Sequence, residues 1–149
     1  MEFLDIVDEN GEPTGETVER KEAHRKGIRH RTSHLWLYSC NDRRIMILLQ
    51  KRSADKDSYP GCYDISSAGH IPAGYGFRES AVRECAEELG VKLTEDMLTK
   101  IGQRKFEYRD IFHGEEFHDN QISNVYICEI PYDTQFTPQE SEVESVMWM

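Results

Sequence analysis

"GHIPAGYGFRESAVRECAEELGV", Gly69 to Val91, decides how this chain reads. At about 100° per residue, Glu84, Glu87 and Glu88 share one sector of a helix roughly 100° wide. Val82, Cys85, Ala86 and Leu89 lie on the opposite side, and Gly90 follows as a C-cap with no Cβ to hinder a left-handed turn. One face is therefore built to pack, and the other concentrates like charge. A solvated acidic face, relieved by Arg83 through Glu79 and Glu87 at i±4, is one reading. The other is a ligand set: spacings of three and four residues let oxygens from adjacent turns converge on one hard divalent cation. The three glycines of "GHIPAGYGF" would let backbone approach a ligand closely.

Working outward, the 149 residues suit one domain with a real core, residues 1–149. The chain is 38% apolar and 31% charged, with no apolar run of membrane-spanning length. The acidic start "MEFLDIVDEN" is unlike a signal peptide, so a cytoplasmic location and no membrane partner are expected. Cys40, Cys62, Cys85 and Cys128 are isolated, which argues against structural zinc and against a disulfide framework. A net charge of −10 disfavours nucleic acid and leaves room for a small phosphorylated ligand held by local cations. The one basic segment, "RKEAHRKGIRHR" from Arg20 to Arg31, reads as a solvated helix end or as one wall of a phosphate site.

"DENGEPTGE" reads as a turn between a short first strand and a helix over about Val18 to Lys26, stopped by Gly27. "HLWLYSC" and "RIMILLQK" flank "NDRR" as a hairpin, and "SYPGCYDIS" turns into a short strand. "KFEYRDIF" and "ISNVYICEI" read as strands around the polar tip "HGEEFHDN", and "VESVMWM" as a last strand. Strands on both sides of a central helix predict an α/β domain with a mixed sheet.

The spacing from Gly69 to Arg83-Glu84-Cys85-Ala86-Glu87-Glu88-Leu89-Gly90-Val91 resembles the Nudix box, Gx5Ex7REUxEExGU, with Cys85 in the first aliphatic slot. The resemblance implies an α/β/α sandwich with a mixed β-sheet, in which the family's usual C-terminal helix would be absent or cut off here. It also implies a Mg2+ site, with Mn2+ as the alternative, on Glu84, Glu87 and Glu88, which would be both metal ligands and catalytic residues. Tyr75 stands where the family has a glutamate that steadies the box arginine, here Arg83, and Glu79 is a candidate substitute.

"LLQKRSADKDSYPGCYDISSAGHI" and "AHRKGIRHRTSHLWLY" resemble the Nudix subgroup closest to type I isopentenyl-diphosphate isomerases. Those enzymes move a proton with a cysteine and a glutamate. Their cysteine slot holds Ala68 here, and their glutamate slot holds Gln121 beside Asp119; neither alanine nor glutamine titrates. Cys62 and Cys85 are off-pattern and expected in the core. The same resemblance matches His34 and His70 to metal-binding histidines, Arg52 and Lys56 to diphosphate-holding cations, and Tyr108 to an active-site tyrosine. Arg52, Lys56 and His70 are therefore the expected substrate-binding residues. The reading is a Nudix pyrophosphohydrolase acting on a small diphosphate such as a nucleoside diphosphate derivative, with Glu87, Glu88 or Glu142 as base and with dimers common in the family. The alternatives are an isopentenyl-diphosphate isomerase-like enzyme and a non-catalytic Nudix ligand-binding domain.

Overall fold

A computed structural model describes residues 2–54, 60–112 and 114–149. The chain opens with a hairpin of β1 (Phe3–Val7) and β2 (Pro13–Glu19), followed by α1 (Arg20–Lys26). The turn expected across "DENGEPTGE" is thus confined to its first part, where the Asp8 carboxylate accepts from the Asn10 and Glu12 amides. The rest is strand, because Thr17, Val18 and Glu19 have partners in Asp5, Leu4 and Phe3. For the same reason α1 starts at Arg20 rather than Val18. It ends at Gly27, which takes the left-handed conformation at φ 69° and packs against the His118 ring.

The main sheet is built on β3 (His30–Asn41). It is paired in parallel with β8 (Glu115–Glu129) over nine residues, from His30↔Gln121 to Tyr38↔Glu129. On its other edge β3 is shared. Thr32–Leu35 pair with β6 (Ser67–His70), and Tyr38–Asn41 pair with β4 (Arg44–Arg52). The β3–β4 hairpin turns on Asp42 and Arg43, both at positive φ as a tight two-residue turn requires. Beyond the hairpin the two strands part, and β4 takes up β5 (Tyr63–Asp64) and β9 (Val143–Trp148) instead. Ser66 ties the fork: its hydroxyl donates to the Leu48 carbonyl and accepts from the Leu37 amide. β7 (Thr99–Phe112) closes the far edge against β8. Because β8 begins at Glu115, most of the predicted polar tip is strand, and Asp119 is fixed in register opposite Tyr108.

α2 (Phe77–Leu89) lies across one face of this mixed sheet, and α1 packs on the other. Ala81, Cys85 and Leu89, spaced four apart, are buried against Leu35, Leu37, Leu48, Tyr126 and Cys128. Truncating one such leucine to alanine costs about 2–5 kcal/mol, so this layer holds α2 in a fixed position. Burial pushes the Cys85 thiol up to about 12, as befits an inert core residue. Cys62, also expected in the core, is exposed; it follows Gly61 in the turn into β5 at the sheet margin. Among the described residues no helix is long and apolar enough to cross a membrane.

Candidate functional site

Gly76 precedes α2 as an N-cap with no side-chain hydrogen bond, and Gly90 ends the helix at φ 71°, as the sequence predicts. Its acids are graded in exposure. Glu88 is 8% exposed, Glu84 half-buried, and the Glu87 side chain 56% exposed. Glu88 reaches inward to the fork, where the Gln50 amide donates to its Oε2 at 3.0 Å and to the Ser66 carbonyl at 3.0 Å. Glu84 stands next to Glu88 and lies over Gly69; burial raises its pKa. A Cβ on Gly69 would come within 2.6 Å of the Glu84 Cδ, so the box glycine is the space this carboxylate occupies. Arg83 joins the set by donating from Nη2 to Glu84 Oε1 at 3.3 Å, with Nε 4.0 Å from Glu87 Oε1. Glu79 is exposed and absent from these Arg83 pairs; the arginine instead lies over the Tyr75 ring, 5.3 Å from its centroid. The donor set suits a hard divalent cation, because it offers only oxygens.

On the other side of β6 lies a second centre. Strand side chains alternate, so Gly69 faces α2 while the next residue, His70, faces away. There it meets His24 from the last turn of α1 and His30 from the first residue of β3. The three rings are 5.1–5.2 Å apart between centroids, and one ligand atom from each lies within 4.8 Å of the others. Desolvation holds all three as neutral imidazoles: His24 is lowered to about 4, His70 well below its ordinary value, and His30 downward too. His30 Nδ1 donates to the Ile28 carbonyl at 2.9 Å, which leaves Nε2 as a bare lone pair. That atom faces Asp119 Oδ1 at 3.5 Å, with His24 Nε2 at 3.8 Å from the same oxygen. His30 Nε2 and Asp119 Oδ1 are both buried without a hydrogen-bond partner among the described residues. Two acceptors turned toward each other without a donor repel, unless a cation or a proton lies between them. Three imidazole nitrogens and one carboxylate oxygen are a donor set for a borderline transition metal such as Zn2+, rather than for Mg2+.

The structure brings Glu84 and Glu88 together, with Glu87 at the open edge, and joins His70 to His24 and His30, which the sequence reading passed over. A signal for them exists. Two histidines six residues apart flank a glycine that stops a helix and folds the chain back on itself. His34 shares the face of His30 but is outside the trio, and burial lowers its pKa. Ala68 pairs with His34, and Gln121 with His30 and Phe106, so both non-titrating residues line the face of the histidine centre. Tyr108 is on that face opposite Asp119, its hydroxyl donating to Asp110 at 2.6 Å. Arg52 is ion-paired with Asp64, the cross-strand partner of Gln50, at 3.0 Å. The half-buried Glu142 accepts from the Ser53 amide through its carbonyl, one residue beyond Arg52. Lys56 lies outside the described residues.

Comparison with known proteins accords with this geometry. The family model of the NUDIX domain matches residues 28–149. Nudix hydrolase 3 of Arabidopsis thaliana is 41% identical over 151 residues, which cover 99% of this chain and 19% of that protein. The chain spans 66% or less of the length of the next three curated relatives. An isopentenyl-diphosphate Delta-isomerase of Cereibacter sphaeroides is 28% identical over 133 residues, 89% of this chain and 70% of its own. The crystal structure of DR0079 from Deinococcus radiodurans superposes with a TM-score of 0.70 at 22% identity, over 99% of this chain and 83% of that one, which shows a shared fold. From β3 to β9, through the strand and helix that carry the carboxylate centre, the chain belongs to the Nudix family.

Proposed function

We propose that this chain hydrolyses a diphosphate bond in a small phosphorylated metabolite, such as a nucleoside diphosphate derivative, using Mg2+ or Mn2+ held by Glu84, Glu87 and Glu88. The observation that carries the reading is Glu84 seated over Gly69, one turn from Glu88, which Gln50 braces. Such an ion, when bound, supplies positive charge to phosphate oxygens. Glu84 and Glu88 orient it, because neither carboxylate swings freely between its neighbours. Arg52, two residues after Gln50 on β4 and ion-paired with Asp64, is the cation we assign to the phosphate.

The proton of the attacking water goes to Glu87, the one carboxylate of the three that is open to solvent and held only loosely by Arg83. The hydroxyl forms the new bond to phosphorus, and the bridging P–O bond breaks with its electrons on the departing phosphate.

A second reading is favoured by one observation, the His24–His30–His70–Asp119 centre, which accords with the similarity to isomerases. Ala68 and Gln121 beside it offer no proton to move, so we assign that centre to metal binding and substrate placement rather than to isomerisation.

The test is a panel of diphosphates assayed with Mg2+ and Mn2+. Glu87→Gln is expected to lower kcat at least a hundred-fold and to raise the Mg2+ requirement as well, because a ligand carboxylate is lost. Glu88→Gln raises the Mg2+ needed for half-maximal rate. Wild-type rates in both variants contradict these roles. Binding of a diphosphate without turnover by the wild-type chain identifies a binding module, and dimethylallyl diphosphate formed from isopentenyl diphosphate identifies an isomerase.

A further inference from the structure

The departure at position 75 has a geometry of its own. Tyr75 lies in the loop between β6 and α2, and its backbone is clamped. Its amide donates to the Pro72 carbonyl at 3.1 Å, and its carbonyl accepts from Arg31 Nη2 at 2.8 Å. Arg31 is 5% exposed and ion-paired with Asp5 at 2.9 Å, and the same Asp5 oxygen accepts from the Gly74 amide. This frame fixes the ring of Tyr75 under the Arg83 guanidinium, whose nitrogens reach Glu84 on one side and approach Glu87 on the other. A continuous line of contacts thus runs Asp5–Arg31–Tyr75–Arg83–Glu84.

We propose that Tyr75 is a positioning residue for the carboxylate centre, holding Arg83 by its aromatic face where the family pattern has an ion pair. The proposal rests on the reading of Glu84, Glu87 and Glu88 as cation ligands. A ring attracts a guanidinium through its quadrupole without neutralising it. Arg83 therefore keeps its whole charge for Glu84 and Glu87, in a region where Glu2 adds further negative potential at Glu84. A fourth carboxylate at position 75 would draw the arginine away from the two ligands and add to the repulsion among the acids. An uncharged hold is also insensitive to ionic strength, whereas a half-exposed ion pair is screened by salt.

The experiment measures Mg2+ binding by calorimetry, together with thermal midpoints, in a double-mutant cycle of Tyr75→Leu and Arg83→Met. Tyr75→Leu is expected to weaken Mg2+ binding about three- to five-fold, the size of a half-exposed cation–π contact. It should have no such effect once Arg83 is Met. Tyr75→Phe, which keeps the ring, retains the wild-type affinity. Tyr75→Glu binds Mg2+ with a salt dependence between 50 mM and 500 mM KCl steeper than that of the wild type. The coupling is also read without any ion: loss of the ring lowers the thermal midpoint by about 2 °C, and only while Arg83 is present. A chain that takes up no Mg2+ therefore overturns the hydrolase reading while the Tyr75–Arg83 coupling is still measured. Equal effects of Tyr75→Leu in both backgrounds, or a Phe variant as weak as Leu, overturn the proposal.

Discussion

Replacing Gly69 by alanine tests whether the glycine is a seat for Glu84. The new Cβ would stand 2.6 Å from Glu84 Cδ and 2.8 Å from Cγ, where carbon atoms ordinarily keep about 3.5–4.0 Å. The carboxylate must therefore retreat by about 1 Å. What it meets is the far end of a flexible side chain rather than backbone, so the fold yields cheaply. The stability cost lies at the low end of the overpacking range, about 1 kcal/mol, or a fall in thermal midpoint of roughly 2–4 °C. Function is far less tolerant, since a displacement of about 1 Å at a catalytic group can cost on the order of a hundred-fold in rate. The assay is phosphate release during Mg2+ titration of Gly69→Ala, with thermal melts alongside. Adding Glu84→Asp, one methylene shorter, relieves the clash and returns part of the activity. The histidine cluster, on the opposite side of β6, is untouched by this change, so its response to added Zn2+ stays that of the wild type. Turnover and Mg2+ dependence within two-fold of wild type refute the seat. A fall in midpoint beyond about 10 °C shows instead that the glycine is a requirement of the fold.

Two further outcomes are expected. Asp5→Ala strands the buried Arg31 guanidinium and releases the Gly74 amide, so it costs about 3 kcal/mol and lowers the thermal midpoint by roughly 6–12 °C; an unchanged melt contradicts the clamp. In chelator-treated protein, stability falls on acidification. His24 has a folded pKa of about 4, below its ordinary 6.5, so its contribution is full above about pH 6.5 and is lost as pH drops toward 4. Discounted for partial solvent screening, that is about 2 kcal/mol. Glu84 and Asp119, with raised pKa values, act in the opposite sense, so the difference between wild type and His24→Gln isolates the imidazole. Identical pH profiles for the two proteins refute it.

The carboxylate cluster was legible because its side chains lie on one helix, where spacing alone states which of them share a face. Gly90 and the core positions Cys85 and Leu89, with Val82 packed against them, followed from the same periodicity, whereas Ala81 takes the core place expected of Ala86. The histidine centre was harder to read. His24, His30 and His70 come from a helix end, a strand start and a later strand, and they meet only because β6 pairs with the first half of β3. That pairing is non-local and carries no periodic signature. The β1–β2 hairpin was hidden by its polar second strand, whose glycine and proline read as turn residues. Glu79 looked like the natural partner of Arg83 by helical spacing, yet an aromatic ring from the preceding loop holds that position. Sequence spacing along a helix cannot register a neighbour that arrives from outside it.

The four residues of β6 bear on how this molecule can change over time. Their alternation hands Gly69 to one chemistry and His70 to its opposite, with a single peptide bond as the partition between them. A slip of one step against β3 would exchange the two, thrusting an imidazole among the acids and leaving the nitrogen trio a member short. Mutations that loosen this short segment must therefore impair both halves together, and natural variation can remodel the carboxylate cluster or the histidine cluster only from its outer walls.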